Sequence, residues 1–235
     1  ALRGRFGESI AEGRPSMEII IERLPATLQL GLASFIFSIV VGVPLGIFSA
    51  VKRGTMLDAV GKVVALIGQS APVFWLGIML MFLLAVKVQW LPPYGRQEAA
   101  SIILPAVTLG WFYAAANLRL LRSSMLNVLD SEYVKLARAK GVAGPKVIWK
   151  HALRNALIPV LTFSGVTLGS LVTGSLVVET VFAWPGLGQL AIKSLVSNDY
   201  PLLQAVIIIF TLMYVTAALL VDVMYAYVDP RIRYA

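Results

Sequence analysis

Five stretches of this 235-residue chain carry no Asp, Glu, Lys, Arg or His: Leu24–Val51, Val63–Val86, Ala99–Leu118, Asn155–Val178 and Tyr200–Val221. They run 28, 24, 20, 24 and 22 residues and take up half the chain. An α-helix needs about 20 apolar residues to cross a hydrocarbon core roughly 30 Å thick, and every stretch reaches that length. In lipid the backbone must satisfy its own hydrogen bonds, so only helices and closed barrels span it. Barrel strands alternate polar and apolar residues over about ten positions, and these runs do not. Composition argues against buried helices of a soluble domain. Hydrophobic residues make up 58% and charged residues 14%, with a mean hydropathy of +0.82, against roughly 45–50% and 25% in soluble proteins. The sequence predicts an all-α integral membrane protein with five transmembrane helices.

The same composition excludes intrinsic disorder, which needs low hydrophobicity and high charge. Cysteine is absent and His151 is the single histidine, so disulfides, thiol nucleophiles and cysteine- or multi-histidine metal cages are excluded. The chain has no phosphate-binding loop, nucleophile elbow or H-E-x-x-H helix. Apart from tyrosines, the spans hold no ionisable side chain, whereas ion-driven carriers place such groups in the bilayer. Uphill transport by this chain therefore needs energy from another polypeptide. Gln29, Gln69, Asn117 and Gln204 can line a polar path or bond helices together. Pro25 and Pro201 lie near span starts, Gly42, Pro44 and Gly46 cluster near the end of the first span, and Pro72, Pro105 and Pro159 fall within or near the start of others. Each is read as a residue that membrane helices tolerate, not as a kink.

Counted by connecting segment, Lys and Arg alternate in density. Thirteen lie in the segments after spans one, three and five, and seven in the other three. The positive-inside rule places the richer set in the cytoplasm. That set includes the 119–154 segment, with eight basic residues, and the C-terminal tail. The N-terminal segment then lies outside, although it is hydrophilic and has no signal-peptide pattern. At least one further span before residue 1 is expected on this ground.

The 119–154 segment has internal order. Asp130 or Ser131 can cap a short helix with Glu132 in its first turn, and Lys135, Arg138 and Lys140 fall toward its end, where they suit the helix dipole. Gly141 is a plausible stop. Gly144 and Pro145 open a second helix that runs through Trp149 and His151. Two short helices meeting at a glycine-rich corner form a protruding knob; the alternative is a solvated basic loop that serves only topology.

Glu132-Tyr133-Val134-Lys135-Leu136-Ala137-Arg138-Ala139-Lys140-Gly141, followed by Trp149-Lys150-His151-Ala152-Leu153-Arg154-Asn155-Ala156-Leu157-Ile158-Pro159, resembles the EAA-type coupling loop of ABC importer permeases. It resembles most the dipeptide/oligopeptide/nickel branch (DppB/OppB-like). Further matches run along the chain: Arg23-Leu24-Pro25-Ala26-Thr27-Leu28, Leu91-Pro92-Pro93-Tyr94-Gly95, Phe182-Ala183-Trp184-Pro185-Gly186-Leu187-Gly188 and Asp229-Pro230-Arg231-Ile232-Arg233-Tyr234. The chain departs from the broad pattern at one point. Lys135 stands at the position of the initial glutamate and Leu136 at the first alanine, so Glu132 is not the motif glutamate.

The resemblance implies a six-helix type I permease fold, one span of which precedes residue 1, and a non-catalytic subunit that binds no cofactor. It implies as partners a second, similar permease, two cytoplasmic ATPases that use ATP and Mg, and an extracytoplasmic substrate-binding protein. Residues 1–24 form an extracytoplasmic lead, 25–228 the permease domain and 229–235 a cytoplasmic tail. Glu132, Tyr133, Leu136, Ala137, Arg138, Ala139, Lys140, Gly141 and Val142 form the ATPase-coupling segment, with Tyr133, Leu136, Ala137 and Lys140 on one helical face. Phe182, Trp184, Pro185, Gly186 and Gly188 form an extracytoplasmic loop expected to face the binding protein; an interfacial aromatic anchor is the simpler alternative for Trp184. Solutes of similar permeases include peptides, nickel chelates and glutathione. The competing functional class is a stand-alone channel or secondary carrier.

Overall fold

A computed structural model describes residues 6–173 and 175–228. The C-terminal motif from Asp229 to Tyr234 and the arginines at 3 and 5 lie outside the described residues. Among those described, the chain is helical, with one isolated β-bridge between Glu8 and Pro15.

The helices are α1 (Ser16–Val51), α2 (Met56–Ser70), α3 (Val73–Leu80), α4 (Ile103–Leu129), α5 (Glu132–Ala139), α6 (Gly144–Lys146), α7 (Leu153–Ala156), α8 (Ile158–Thr173), α9 (Leu176–Val181), α10 (Leu187–Val196) and α11 (Tyr200–Val228). Wider π-type turns follow α3 over Met81–Lys87 and join α6 to α7 over Val147–Ala152. Three helical stretches are long and apolar enough to cross a membrane singly: Ser16–Val51, Ala99–Leu129 and Tyr200–Val221. Two bent pairs, Met56–Ser70 with Val73–Lys87 and Gly144–Ala156 with Ile158–Leu171, bring the number to five. Each of the five coincides with a charge-free run.

The bends correct the reading of two prolines. α2 and α3 meet at 112°. Pro72 has no N–H, and its ring disfavours the helical region for the residue before it. Ala71 is accordingly extended (φ −75°, ψ 130°) and so is Pro72 (φ −60°, ψ 135°). The helix stops there and restarts. At Pro159 the bend is 46°; Leu157 stays helical (φ −74°, ψ −21°), so the turn is softer. Pro25 departs from expectation in the other direction. It lies inside α1, which begins nine residues earlier at Ser16 and continues through Pro44.

The described chain divides into two compact units. In the first, from residues 1–35, 72–110 and 166–235, Ile19 and Ile20 of α1 pack with Leu187, Leu190 and Ala191 of α10 and with Leu202, Ala205 and Val206 of α11. In the second, from 36–71 and 111–165, Ile47 and Ala50 of α1 pack with Leu121 and Met125 of α4 and with Ala152, Ala156 and Val160. Within this second unit α1 crosses α4 through Gly42 and Gly46. A Cβ on Gly42 would lie 2.6 Å from the Ala114 carbonyl oxygen, and one on Gly46 3.0 Å from that of Leu118. Such small-residue contact lets two backbones pack where lipid supplies no hydrophobic drive.

Candidate functional site

The coupling segment folds as a capped, tethered helix. Ser131 takes the N-cap position in extended geometry (φ −71°, ψ 152°), but its hydroxyl accepts no helix N–H and instead donates to the Val128 carbonyl at 2.5 Å. Glu132 sits in the first turn, where the helix dipole favours an anion, and pairs with Lys135 at 2.8 Å. At the other end Gly141 adopts φ +75°. Its N–H donates to the Arg138 carbonyl at 2.9 Å, and the Val142 N–H to that of Ala137 at 3.1 Å. These two bonds close the helix in the left-handed manner that favours glycine.

Val134 is buried and fixes α5 to its unit. The Tyr133 hydroxyl accepts the Asn155 amide at 2.8 Å and lies 3.4 Å from the His151 carbonyl. Leu136 (56% exposed), Tyr133 (44%) and, in the Val147–Ala152 segment, Trp149 (57%) remain large exposed apolar side chains. Arg138, Ala139, Lys140 and Gly141 are exposed, while Ala137 and Val142 are half-buried. Of the four residues expected on one face, Leu136 and Lys140 are exposed, Ala137 is partly covered and Tyr133 is tied back by its hydroxyl.

The corner from Phe182 to Gly188 is built differently from the expected surface loop. Phe182 and Trp184 are each only 1% exposed. The Trp184 indole N–H donates to the Ala26 carbonyl of α1 at 2.8 Å. Glu179, wholly buried, holds the turn together. One of its oxygens accepts the Thr27 and Ser175 hydroxyls, both at 2.8 Å. The other accepts the backbone N–H groups of Gly188 (2.7 Å) and Gln189 (3.1 Å) at the start of α10. A helix N-terminus offers unpaired N–H groups and a positive dipole end, which a carboxylate satisfies. A Cβ on Gly188 would fall 2.5 Å from the Leu176 Cα, and one on Gly186 would overlap the Glu179 carboxylate. Only Pro185 and Ala183 reach the surface to any extent. An aromatic anchor in the lipid interface is thus not the role of Trp184, whose ring is packed inside the protein.

Sequence reasoning missed Glu179, which entered only as the residue that ends the fourth charge-free run. It also missed Asp58 and Arg122. Asp58, 1% exposed, accepts Arg122 through Nε (2.7 Å) and Nη2 (3.0 Å), the Ser49 hydroxyl (2.8 Å), the Gly54 N–H (3.1 Å) and Lys62 Nζ (3.0 Å). This cluster ties α1, α2 and α4 together within the second unit. The Asp58–Lys62 spacing of four is visible in the sequence; the Arg122 partner is not. No group of three or more His, Cys, Asp or Glu that could hold a metal ion occurs among the described residues.

Residues 42–234 match the model of a family described as binding-protein-dependent transport system inner membrane component. The chain is 44% identical over 233 residues to the glutathione transport system permease protein GsiC of Salmonella typhimurium, covering 99% of this chain and 76% of that protein. It is 42% identical over 234 residues to GsiC of Escherichia coli K12, with 100% and 76% covered. Among solved structures, an inward-facing form of the MetNI methionine ABC transporter superposes with a TM-score of 0.75 at 22% identity, over 91% of this chain and 97% of that one. An amino acid ABC transporter solved with histidines gives 0.69 at 15%, over 90% and 95%. The likeness to both establishes the type I importer permease fold, and the sequence matches identify a non-catalytic permease component. This chain therefore belongs to the family of binding-protein-dependent transport system inner membrane components.

Proposed function

We propose that this permease forms half of the translocation pathway of an ATP-driven importer for peptides or a related small solute such as glutathione. In this reading the 131–142 helix docks on one of two cytoplasmic ATPases. A second, similar permease completes the pathway, and an extracytoplasmic binding protein delivers solute to it. Residues 1–24 and the Phe182–Gly188 corner lie on the outer side, 25–228 make the permease domain, and the 229–235 tail is cytoplasmic with the coupling segment.

The observation that carries this reading is α5. A solvated topogenic loop has no need of a closed C-terminal cap, a buried anchor at Val134 or exposed Tyr133 and Leu136 on the same short helix as Arg138. Exposed large apolar side chains on a helix that also carries exposed cations fit a protein groove rimmed with carboxylates. The solute class is carried over from the GsiC relatives, whose name gives glutathione transport.

The test is purification of the chain from the membranes of the cells in which it occurs, followed by reconstitution in liposomes. Two ATPase chains should co-purify, and hydrolysis should rise when loaded binding protein is added. A chain that purifies alone and passes solute down its gradient without ATP would establish the channel or carrier instead.

A further inference from the structure

The loop after the second span holds an exposed guanidinium, Arg96, that a neutral side chain orients. Arg96 donates through Nε (3.1 Å) and Nη2 (2.8 Å) to one oxygen, Oε1 of Gln29 on α1. Its Cζ also lies 5.8 Å from the centroid of the buried Trp184 ring, within cation–π range. The loop that carries it is pinned next door, where the Gly95 N–H donates to the Phe182 carbonyl at 2.9 Å. No carboxylate lies within ion-pair reach of Arg96 among the described residues. The group is therefore oriented by a neutral amide and an aromatic ring and stays exposed, with no hydrogen bond from Nη1 among the described residues.

Position narrows what that group can meet. Gln29 lies five residues into the charge-free run that begins at Leu24, about 8 Å along the helix. A charge turned toward hydrocarbon at such a place is costly, and ionisable groups within spans face a water-filled cavity or a partner. Guanidinium is suited to planar, bidentate capture of a carboxylate. We propose that Arg96, oriented by Gln29 and the Trp184 ring, binds the carboxylate of the peptide-class solute as it enters the permease. This rests on the importer reading above and goes further by assigning the residue and the charged group it recognises. Arg96 touches solute; Gln29 is a positioning residue.

The experiment uses the assembled transporter in proteoliposomes, with one binding-protein preparation throughout. Uptake kinetics are measured for pairs of tripeptides, glutathione among them, with a free C-terminal carboxylate or the matching amide. The parent should favour the acid. Arg96→Gln should raise KM for the acid about tenfold, the scale of one lost charge-assisted hydrogen bond, and leave KM for the amide unchanged. Arg96→Lys should recover part of the preference, and Gln29→Leu should weaken it with less effect. Equal loss for acid and amide would overturn the proposal in favour of a lipid phosphate contact or a binding-protein dock. Weaker retention of empty binding protein by Arg96→Gln would point to the latter. A parent without acid–amide preference, or an Arg96→Gln variant that keeps it, also overturns the proposal. Stimulation of ATP hydrolysis by loaded binding protein is read in the same vesicles and reports on the importer reading independently.

Discussion

Arg122 clasps Asp58 through two hydrogen bonds, 2.7 Å from Nε and 3.0 Å from Nη2, across 64 positions of sequence. The carboxylate is buried and the Arg122 side chain is 20% exposed. Loss of Arg122 leaves the buried carboxylate with Lys62, Ser49 and Gly54, so the cost falls below about 3–5 kcal/mol, the scale of a buried charge left wholly unpaired. Arg122→Ala should still lower the unfolding midpoint in detergent. The Asp58→Ala/Arg122→Ala double variant should lose less than the sum of the two single variants, because each single change already breaks the pair. Additive losses in the thermal unfolding series would mean the two do not act as a pair.

Glu179 makes an equally specific prediction at the other unit. Its four accepted hydrogen bonds fix Thr27, Ser175 and the start of α10. Glu179→Ala leaves buried donors unsatisfied, at about 1–3 kcal/mol each, and should destabilise the fold severely. Glu179→Gln keeps one acceptor oxygen but turns an NH2 toward two donors, so it should fall between. Trp184→Ala should likewise cost about 3–5 kcal/mol and lower the midpoint. A surface anchor or a loop that only meets the binding protein would leave the midpoint where it was.

How far the sequence reached differs between fold and site. The absence of charge over five runs marked the five candidate spans among the described residues, because desolvation of a charge dominates any helix in lipid. The break at Pro72 was not legible. A proline in a span is compatible with a straight, bent or interrupted helix, and what surrounds it decides which. The α5 cap was legible, since Gly141 after a short amphipathic run is a local signal. The Glu179 and Asp58 clusters were not, since each gathers partners from separated helices. Trp184 shows the same limit: its type marks an interface residue or a core residue equally well, and only packing against Ala26 distinguishes them.

Asp199 sets an acid limit on the first unit. It is buried at the start of α11. Burial pushes its carboxyl up, but hydrogen bonds from the Ser9 hydroxyl and from the N–H groups of Ala11, Ile10 and Leu202 outweigh this and hold it below its ordinary value. A depressed folded-state value means stabilisation that is complete above the unfolded value of about 3.9 and is lost as pH falls through the lower folded value. Stability measured by denaturant in detergent should thus hold from neutral pH to about 4 and decline below it as far as this group is concerned. Asp199→Asn should be less stable at pH 7 and should lose part of that acid dependence. An unchanged slope between parent and variant would remove Asp199 from the account.

Coupling by α5 predicts sensitivity to shape at constant charge. A partner ATPase can move this permease only through a contact that transmits force, and α5 offers an exposed Leu136, a half-buried Ala137 and a left-handed turn at Gly141. A β-branched residue at φ +75° is strained by roughly 1–2 kcal/mol, enough to open the two terminal hydrogen bonds while the core beneath stays packed. Gly141→Val should therefore insert and fold but hold the end of α5 incorrectly. Ala137→Trp should fold too and block close approach at the helix surface. Neither changes net charge, so a loop that serves only topology predicts wild-type behaviour for both. The coupling reading predicts normal membrane levels, loss of ATPase retention on purification or of solute-stimulated hydrolysis, and at least a tenfold drop in uptake, a deficit of about 1.4 kcal/mol in the docked state. Arg138→Gln, which removes charge but keeps the backbone cap, should do less harm at high ionic strength than at low, because screening already weakens an exposed pair in the parent. Full assembly, hydrolysis and uptake by both Gly141→Val and Ala137→Trp would show that α5 does not carry the force.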